Sequence, residues 1–580
     1  MKERRYFLKL WIVPAVMIFF LLLWKITGFY YVANDDITMH KLAAGTITGE
    51  PDAHLVFCSY LFGLMTSALF RLVPGIDWYG LLFIASIFLC FCLILSRSVE
   101  VLKAKKSLLP GGIEAAFLLF LLYTDSLMLF QFTVVAGILA STALFRLMSS
   151  RADKGIRDIG LAWLLLFLAG ALRAKVFFMT LPLFVFTLIW KLMELLKDER
   201  PFFERTAWKE RWEKHGRTLK GILAVSAVGI LLFAGMRFME RKAYSAEPWK
   251  SYSEYKHARS LITDYYHWPE YEGNEAFWSS LGVSKEAHEC ISMYGMLPEL
   301  DGEKIVRIAE YAGQQSTDQR KPGEKLSSMG ELLLRSALSG ECRVQHILLF
   351  LMLLMLLYRI VTEKTYKRWL ILGGVMIQAA ILLYLLYKER MPARIQMIYD
   401  YQLVLWGAGI LMGEEKKKSR FPRLRYCLEA AVGCFLLFTA LSQFKTELDV
   451  YHVNMNEYQE AASYIGSEAE KLFVLTPGTV STLKKFTFRE KDANLNTIGT
   501  TGWSVYSPWQ EQRLLRLGLE RDKHYLLYPD VYLLTKDLSR ADKVNTYFRS
   551  KDLIDEDYQI CDSFELSDGS LLYTLKWTEK

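Results

Sequence analysis

The sequence predicts an α-helical polytopic membrane protein that carries two folded exterior parts. Of its 580 residues, 52% are hydrophobic and only 23% are charged, and the mean hydropathy is +0.16. This composition is too apolar for a water-soluble enzyme of such length. The formal net charge of +8 comes largely from basic residues between apolar stretches. We therefore read it as a topological signal and expect no nucleic-acid partner.

About eleven apolar stretches are long enough to be transmembrane helices. The first, 8–31, follows a short basic segment and is too long for a signal-peptide core, so we predict a membrane anchor with a cytoplasmic N-terminus. The other ten lie at 78–96, 108–124, 127–146, 159–172, 176–195, 219–237, 344–361, 369–387, 397–413 and 427–443.

A further apolar stretch at 55–73 decides the topology, because its crossing would invert every later loop. If it does not cross, all the strongly basic loops are cytoplasmic: 97–107, 146–157, 197–220, 359–368 and 414–425. If it crosses, all of them are exterior. We therefore predict that 55–73 forms a helix that lies in, or re-enters, the outer interface.

This topology divides the chain into four parts. Residues 1–238 form an N-terminal transmembrane module whose first exterior loop is 32–77, and residues 344–443 form a C-terminal transmembrane module. The insert at 239–343 has helical patterns and is predicted to be an exterior helical cap. Residues 444–580 alternate helical and strand-like runs, which predicts an exterior α/β domain.

Cysteine and histidine give no sign of a scaffold or a metal centre. The eight cysteines are scattered without a CxxC pair, and the nine histidines occur singly. We therefore predict neither a disulfide framework nor a metal site. The sequence establishes no cofactor, and a divalent metal is unsupported by any motif.

Two groups of basic residues lie at the predicted outer membrane face, where Lys and Arg are otherwise rare. One contains Arg173 and Lys175, and the other contains Arg390 and Arg394. If Arg390 and Arg394 are helical, their spacing of four puts both guanidinium groups on one face, which suits a phosphate. The competing interpretation is snorkelling to lipid headgroups or pairing with nearby carboxylates.

An acidic pair, Asp35 and Asp36, follows the first predicted span. It begins a short predicted helix that ends at Gly45, and Asn34 or Asp35 is an ordinary N-cap for it. A cap needs one carboxylate only. Two adjacent carboxylates at an apolar membrane face repel each other and lose solvation, which raises a pKa toward the range useful for a general base. Both interpretations stay open.

The acidic pair belongs to a larger pattern. Together with the helix to Gly45, the Gly-Glu-Pro-Asp turn at 49–52 and the apolar interfacial helix, it resembles the first exterior loop of the GT-C superfamily of polytopic glycosyltransferases. The basic segment 171–176, followed by Pro182, also resembles positions in these chains. Relatives include protein O-mannosyltransferases, aminoarabinose transferases and the catalytic subunit of oligosaccharyltransferase.

Short motifs extend the likeness along most of the chain. Segments 54–80, 258–265, 390–394 and 502–508 resemble uncharacterised bacterial membrane proteins of this kind. The resemblance implies an inverting membrane glycosyltransferase in a bacterial plasma membrane. Such an enzyme transfers a sugar from a polyprenyl-phosphate carrier to a cell-wall or surface glycan at the outer face. The polyprenyl-phosphate-linked sugar is its donor substrate, and the membrane lipid is a partner.

The resemblance also implies roles for site residues. Asp35 would be the general base that removes the acceptor hydroxyl proton, and Asp36 would tune it or bind acceptor or metal. The sequence leaves open which of the two is the base. Four cations would hold the donor phosphate and its developing charge: Arg390, Arg394, Arg173 and Lys175.

Three further residues are candidate acceptor contacts, each with a simpler explanation. Asp264 and Tyr265 lie in the exterior insert, where an ion pair between Asp264 and Arg259 is the plainer expectation. Trp503 in the C-terminal domain is suited to stacking on a sugar ring, although most aromatic residues of such a domain are buried in its core.

Two other functions compete with the transferase. A lipid-linked polysaccharide polymerase or ligase shares exterior chemistry but relies more on exterior Arg and His loops. A non-catalytic transporter or flippase places ionisable groups near the membrane midplane, often in two repeated halves. The transferase is favoured because the unusual charges here cluster at the outer face and no repeat is visible.

Overall fold

The computed structural model shows a predominantly helical protein, with 72% of the chain in helices. The structure describes residues 2–31, 34–104, 108–150, 155–196, 205–315, 322–412, 422–479, 484–489, 496–520 and 523–580. In chain order, the α-helices are α1 Lys2–Thr27, α2 Asn34–Ala44, α3 Tyr60–Leu72, α4 Trp78–Ala104, α5 Leu108–Met128, α6 Phe132–Ser149, α7 Ile156–Leu172, α8 Ala174–Leu196, α9 Arg205–Ala243, α10 Trp249–Leu261, α11 Glu275–Ser280, α12 Lys285–Glu289, α13 Gly302–Gln315, α14 Pro322–Ala337, α15 Arg343–Thr362, α16 Lys367–Tyr387, α17 Ala393–Met412, α18 Pro422–Ser467, α19 Pro508–Arg516 and α20 Leu538–Ser550.

The membrane character predicted from composition is confirmed in its coarse form. Within the described ranges, six helical segments are long and apolar enough to cross a membrane: Trp78–Glu100, Phe132–Ser149, Ala174–Leu196, Glu213–Ala243, Gly340–Thr362 and Lys367–Tyr387. Each of the eleven predicted spans overlaps one helix, namely α1, α4 to α9 and α15 to α18. The count of eleven crossings stays a prediction, because five of these helices do not meet the same length and hydropathy limits.

Helix α6 forms the centre of the bundle. All eighteen of its residues are buried, and α4, α5, α7, α8 and α17 pack around it. The approach of α17 is especially close: a Cβ on Gly137 would lie 2.4 Å from Cγ1 of Ile398. Small residues allow helices to approach in this way in membrane bundles. The N-terminus of α6 is thereby fixed, and it forms one wall of the site described below.

Helix α3 corresponds to the apolar stretch that decides the topology. It has 13 residues, with Ser59 as its N-cap, and packs on α2, α4, α7 and α9. At 1.5 Å per residue it is about 20 Å long, which is less than the ~30 Å hydrocarbon core of a bilayer. Its length agrees with the predicted interfacial position. Parts of the basic loops used to orient the chain, 105–107, 151–154, 197–204 and 413–421, lie outside the described residues.

The insert is helical, as the sequence patterns indicate. Helix α9 leads into it without a break, and α10 to α14 follow. A π-helical turn, Ile262–Tyr266, continues α10, and α13 packs against both. Helix α18 likewise runs through the predicted domain boundary at 443/444, so the second transmembrane module and the C-terminal domain share one continuous helix of 46 residues.

The C-terminal domain contains the predicted mixture of strands and helices. Within the described residues, the strands are β1 Tyr30–Tyr31, β2 Leu129–Phe130, β3 Leu472–Leu475, β4 Lys484–Lys485, β5 Thr497–Gly499, β6 Val531–Thr535, β7 Gln559–Glu565 and β8 Leu571–Lys576. The sheet of the C-terminal domain has five strands in the order β5, β3, β6, β8, β7, with β3 parallel to β5 and β6, and with β8 antiparallel to β6 and β7.

A second, very small sheet joins distant parts of the chain. Strand β1, which follows α1, pairs in parallel with β2 and antiparallel with β4 of the C-terminal domain. Strands of two residues have no alternating pattern that a sequence can reveal. This sheet fixes the start of α2 relative to the start of α6 and to the C-terminal domain.

Candidate functional site

The acidic pair lies in the first turn of α2, directly after the small sheet. Acidic residues are stabilised there because the unpaired N–H groups of a helix N-terminus carry partial positive charge. Consecutive residues of a helix point in different directions. The two carboxylates accordingly have different surroundings, one inside the bundle and one at a surface shared with the insert and the C-terminal domain.

Asp36 points into the bundle and is completely buried. Its Oδ1 accepts hydrogen bonds from the Tyr79 hydroxyl and from the backbone N–H of Phe132, both at 3.1 Å. Its Oδ2 has no hydrogen-bond partner among the described residues. Loss of solvation raises the pKa of Asp36 well above its usual value, and the two hydrogen bonds offset this only in part. Asp36 thus connects α2 with α4 and with the N-terminus of α6.

Asp35 is partly exposed and is oriented from the far end of the chain. Its Oδ1 accepts a hydrogen bond of 2.7 Å from Nε1 of Trp503. The indole is only 8% exposed and packs edge-on against Phe57. Trp503 is therefore buried, as expected for most aromatic residues of the C-terminal domain. It also makes a specific polar contact with the candidate base. Its predicted contact with an acceptor stays a prediction.

The loop that carries Trp503 is held by three tyrosines of the insert. The hydroxyls of Tyr255 and Tyr294 each donate to the carbonyl oxygen of Gly502 at 2.9 Å, and the Tyr252 hydroxyl donates to the carbonyl of Trp503 at 2.9 Å. Gly502 has a φ of +100°, a conformation that favours glycine. The insert and the C-terminal domain thus position the partner of Asp35 together.

Arg173 follows the last residue of α7 and lies between the acidic pair and the cations. Its guanidinium group lies 5.3 Å and 5.2 Å from the ring centroids of Phe57 and Phe132, and Nη1 donates to the Phe57 carbonyl at 3.3 Å. Burial lowers its pKa, and it interacts electrostatically with Asp35 and Arg394. Such a cation, fixed over two rings, is preorganised for an anion.

Arg390, which lies between α16 and α17, contacts the insert. Its Nη2 lies 2.8 Å from Oδ2 of Asp264, and its Nη1 donates to the Tyr265 hydroxyl at 3.1 Å. Asp264 and Tyr265 belong to the π-helical turn, a feature that is frequent at functional sites. The partner of Asp264 is thus Arg390, and the expected ion pair with Arg259 is wrong. Arg259 lies on α10, which ends at Leu261, whereas Asp264 lies in the π-helical turn that follows and contacts the segment between α16 and α17.

The expected helical face of Arg390 and Arg394 is also wrong. Helix α17 begins at Ala393, so only Arg394 is helical, and Arg390 lies in the turn after α16. Pro392 lies between them and disfavours helical backbone in the residue before it. The two arginines still approach the same region, because both interact electrostatically with Arg173. Tertiary packing, not helical spacing, brings them together.

Lys175 completes the predicted set of cations. It is exposed in the first turn of α8 and interacts electrostatically with Arg173, Arg390 and Asp264. Direct contacts join Asp35, Trp503, Phe57 and Arg173, and a second set of contacts joins Arg390 to Asp264 and Tyr265. Electrostatic interactions of Arg173 with Arg390 and Arg394, and of Lys175 with Arg173, relate the two sets. They come from α2, the α7–α8 junction, the α16–α17 junction, the insert and the C-terminal domain.

Lys256 is a member of this region that the sequence did not indicate. It lies on α10, and burial lowers its pKa to about 8, while Glu240 opposes that change. It also interacts electrostatically with Arg173 and Lys175. A single lysine on a helix rich in polar residues has no distinguishing pattern, so sequence reasoning gave no reason to select it.

A buried ionic network supports the opposite side of α2. The Tyr31 hydroxyl lies 2.8 Å from both carboxylate oxygens of Asp77, Nε2 of His40 lies 3.2 Å from Asp77 Oδ1, and Lys484 Nζ lies 3.1 Å from His40 Nδ1. Burial raises the pKa of Asp77, but His40 and Lys484 outweigh it and the net change is downward. No sequence pattern indicates this network, because an aspartate directly before a helix, such as Asp77 before α4, is ordinarily an N-cap.

The fold and the site define a helical protein with apolar helices able to span a membrane, in which a partly exposed carboxylate and several cations meet beside the insert and the C-terminal domain. Within the described residues, no three His, Cys, Asp or Glu side chains are grouped so as to hold a metal ion. Comparison with protein-family models, with curated proteins and with solved structures finds no match.

Proposed function

We propose that the protein is an inverting membrane glycosyltransferase. It transfers a sugar from a polyprenyl-phosphate carrier to a cell-envelope acceptor at the outer face of a bacterial plasma membrane, with its N-terminus cytoplasmic and its C-terminal domain exterior. The observation that carries the proposal is that Trp503, which donates to Asp35, packs against the same Phe57 ring that the Arg173 guanidinium group approaches to 5.3 Å. A general base beside an anion-binding group is the arrangement that this reaction needs.

The roles follow from the surroundings of each group. Asp35 takes the proton of an acceptor hydroxyl while that oxygen attacks the anomeric carbon of the donor. The bond between the anomeric carbon and the phosphate oxygen breaks, and the lipid phosphate leaves with the bonding electron pair. Arg173, Arg394 and Lys175 stabilise the negative charge that grows on the phosphate. Attack opposite the leaving group inverts the anomeric configuration.

The different environments of the acidic pair favour Asp35 over Asp36 as the base. A base must reach the acceptor hydroxyl and must be ionised at neutral pH. Asp36 is completely buried, and its raised pKa favours the protonated form. Asp35 is partly exposed, and the Trp503 indole N–H stabilises its carboxylate in one orientation.

Transfer from labelled donors tests the proposal. The purified full chain is incubated with radiolabelled polyprenyl-phosphate sugars and a cell-envelope extract, and label is followed from the lipid to a water-soluble or envelope product. We expect transfer by the wild type and its loss in Asp35→Asn. Asp301→Asn is the matched control, because Asp301 accepts a hydrogen bond from a backbone N–H at the start of α13 in the insert.

The outcomes separate the candidate functions. Wild-type activity in Asp35→Asn, or an absence of transfer from every donor tried, contradicts the proposal. A ladder of products of increasing length identifies a polymerase, and movement of intact donor across a vesicle membrane identifies a flippase.

A further inference from the structure

A cavity of 720 Å³ is lined in part by Arg394, one of the predicted cations. Its wall is formed by the end of α5, the start of α6, the turn before α15, the start of α17 and the middle of α18. Its size is within the range of roughly 300–1,000 Å³ that is usual for small-molecule sites. The residues of its wall that matter here are Asp125, Gln131, Arg394, Gln443, Glu447 and Tyr451.

Two carboxylates and a glutamine amide form a connected group in this wall. Asp125 is 2% exposed, and its Oδ2 accepts hydrogen bonds from Nε2 of Gln345 at 2.9 Å and from Nε2 of Gln443 at 3.0 Å. Nε2 of Gln443 also lies 3.0 Å from Oε1 of Glu447. The amides thus use their donor groups on one oxygen of each carboxylate.

Three acceptor oxygens of the wall receive no hydrogen bond from a described residue. Oδ1 of Asp125, Oε2 of Glu447 and Oε1 of Gln131 are buried and have no hydrogen-bond partner among the described residues. Buried polar atoms in folded proteins are nearly always hydrogen-bonded. The carbonyl-type oxygens of carboxyl and amide groups accept hydrogen bonds, so a molecule that satisfies them brings donors.

The chemistry of the wall restricts the ligand. A hydrocarbon chain would leave all three oxygens unsatisfied. The wall presents guanidinium groups of Arg343 and Arg394 beside its carboxylates, so charge alone does not select the ligand. Among the residues that the structure describes, no set of three potential metal ligands is grouped together. A saccharide ring carries hydroxyl donors around its edge and C–H groups on its face, and the Tyr451 ring in the wall suits such a face.

We infer that this cavity binds a saccharide through its hydroxyl groups and that it is the acceptor subsite. The second part of the inference rests on the proposed function. It is supported by Arg394, which lines the cavity and also interacts electrostatically with Asp36 and Arg173. A geometric link supports it too: Gln131 of the wall directly precedes Phe132, whose N–H donates to Asp36 and whose ring lies 5.2 Å from the Arg173 guanidinium group.

Photo-cross-linking of the purified full chain tests the inference. The probes are aryl-diazirine glycosides of glucose, galactose, mannose and N-acetylglucosamine, with an aryl-diazirine cyclohexane lacking ring hydroxyls as the control probe. We expect at least one sugar probe to label peptides covering 125–131 or 442–451, and an excess of the matching methyl glycoside to prevent it. Labelling by the control probe to the same extent, or no competition by any methyl glycoside, overturns the inference.

Conservative variants locate the contact. Asp125→Asn and Glu447→Gln keep the size of each side chain but remove a charge-assisted hydrogen bond, so labelling should fall about tenfold or more in each. Glu457→Gln is the matched control on the same helix, because Glu457 pairs with Lys536 in the C-terminal domain, away from the cavity. Undiminished labelling in both cavity variants contradicts the assignment.

A negative result in the cross-linking assay does not require a negative result in the transfer assay, and the reverse also holds. Asp35 does not line the cavity, so Asp35→Asn should still be labelled although it loses transfer. Competed labelling without transfer from any donor leaves a saccharide-binding site in a protein that is not a glycosyltransferase. Transfer without labelling of the cavity keeps the proposed function and overturns the acceptor subsite.

Discussion

The two sides of the first turn of α2 differ sharply, although their key residues are neighbours in the chain. On the inner side, Asp36 is completely buried against α4 and α6. On the outer side, Asp35 is partly exposed and is bonded to the C-terminal domain. One carboxyl group therefore holds the helix in place, and the other is partly open to solvent. The comparison teaches that an acidic pair need not be two equivalent catalytic groups.

The largest effect should come from the outer carboxylate. We expect Asp35→Asn to reduce the transfer rate by about 10²- to 10⁴-fold, the usual contribution of a general base. Asparagine preserves the acceptor atom for the Trp503 N–H, so folding should be little changed. The transfer assay and a thermal-unfolding scan on the same preparation measure both effects. If Asp36→Asn loses activity and Asp35→Asn does not, Asp36 is the general base and Asp35 is not.

The cations should show the next largest effect. Arg173→Lys keeps the charge but loses the planar group that lies over Phe57 and Phe132, so we expect the KM for the donor to rise about ten- to a hundredfold. The KM for the acceptor should not change, because only the donor carries the phosphate. Titration of each substrate at a fixed level of the other checks this.

Arg390→Lys provides the internal comparison for Arg173. The Arg390 side chain is 40% exposed, and its charge is partly offset by Asp264. We therefore expect less than about a tenfold rise in the donor KM, since exposed ion pairs are weak and screened. An equal or larger effect at Arg390 would place the phosphate nearer the insert than the α7–α8 junction.

The indole of Trp503 should have a moderate effect on the rate. Trp503→Phe keeps most of the packing and removes the N–H that orients Asp35, so we expect kcat to fall about tenfold, the value of one hydrogen bond to a charged group. Trp509→Phe is the matched control, because Trp509 is also buried and its ring lies 6.2 Å from that of Trp503. Equal losses in both variants would indicate a packing effect.

The smallest effect concerns stability on the inner side. The pKa of Asp36 is raised in the folded state, so the folded protein holds this proton more tightly than the unfolded chain does. Its contribution to stability is fully present below the unfolded pKa and is lost as the pH rises toward the folded pKa. The wild type should therefore lose stability as the pH rises above about 5, and part of this loss should be absent in Asp36→Asn. At pH 8 the variant should be at least as stable as the wild type.

Thermal unfolding of the two proteins across pH 4 to 9 measures this difference. Asp35→Asn is the control, because its carboxylate is partly exposed and lies on the other side of the turn. A stability profile for Asp36→Asn that runs parallel to the wild type at all pH values contradicts the assignment of a buried, protonated carboxyl group.

The positions of the apolar helices, the helical insert and the α/β character of the C-terminal domain could be predicted from the sequence. Apolar stretches, helical periodicity and turn residues are local properties, and each of the eleven predicted spans accordingly overlaps a helix. It also indicated Asp35, Asp36, Arg173, Lys175, Arg390 and Arg394, because charges at an apolar membrane face are conspicuous in composition alone.

The arrangement of these residues depends on tertiary packing. The bond from Trp503 to Asp35 joins residues that are 468 positions apart, and Asp264 pairs with Arg390 and not with Arg259 on the preceding helix. The cavity at Asp125 and Glu447 is formed by the ends of several helices that are far apart in the chain. Periodicity fixes which residues share a face of one element. Contacts between elements depend on how whole helices pack, and no local pattern of the sequence encodes that packing.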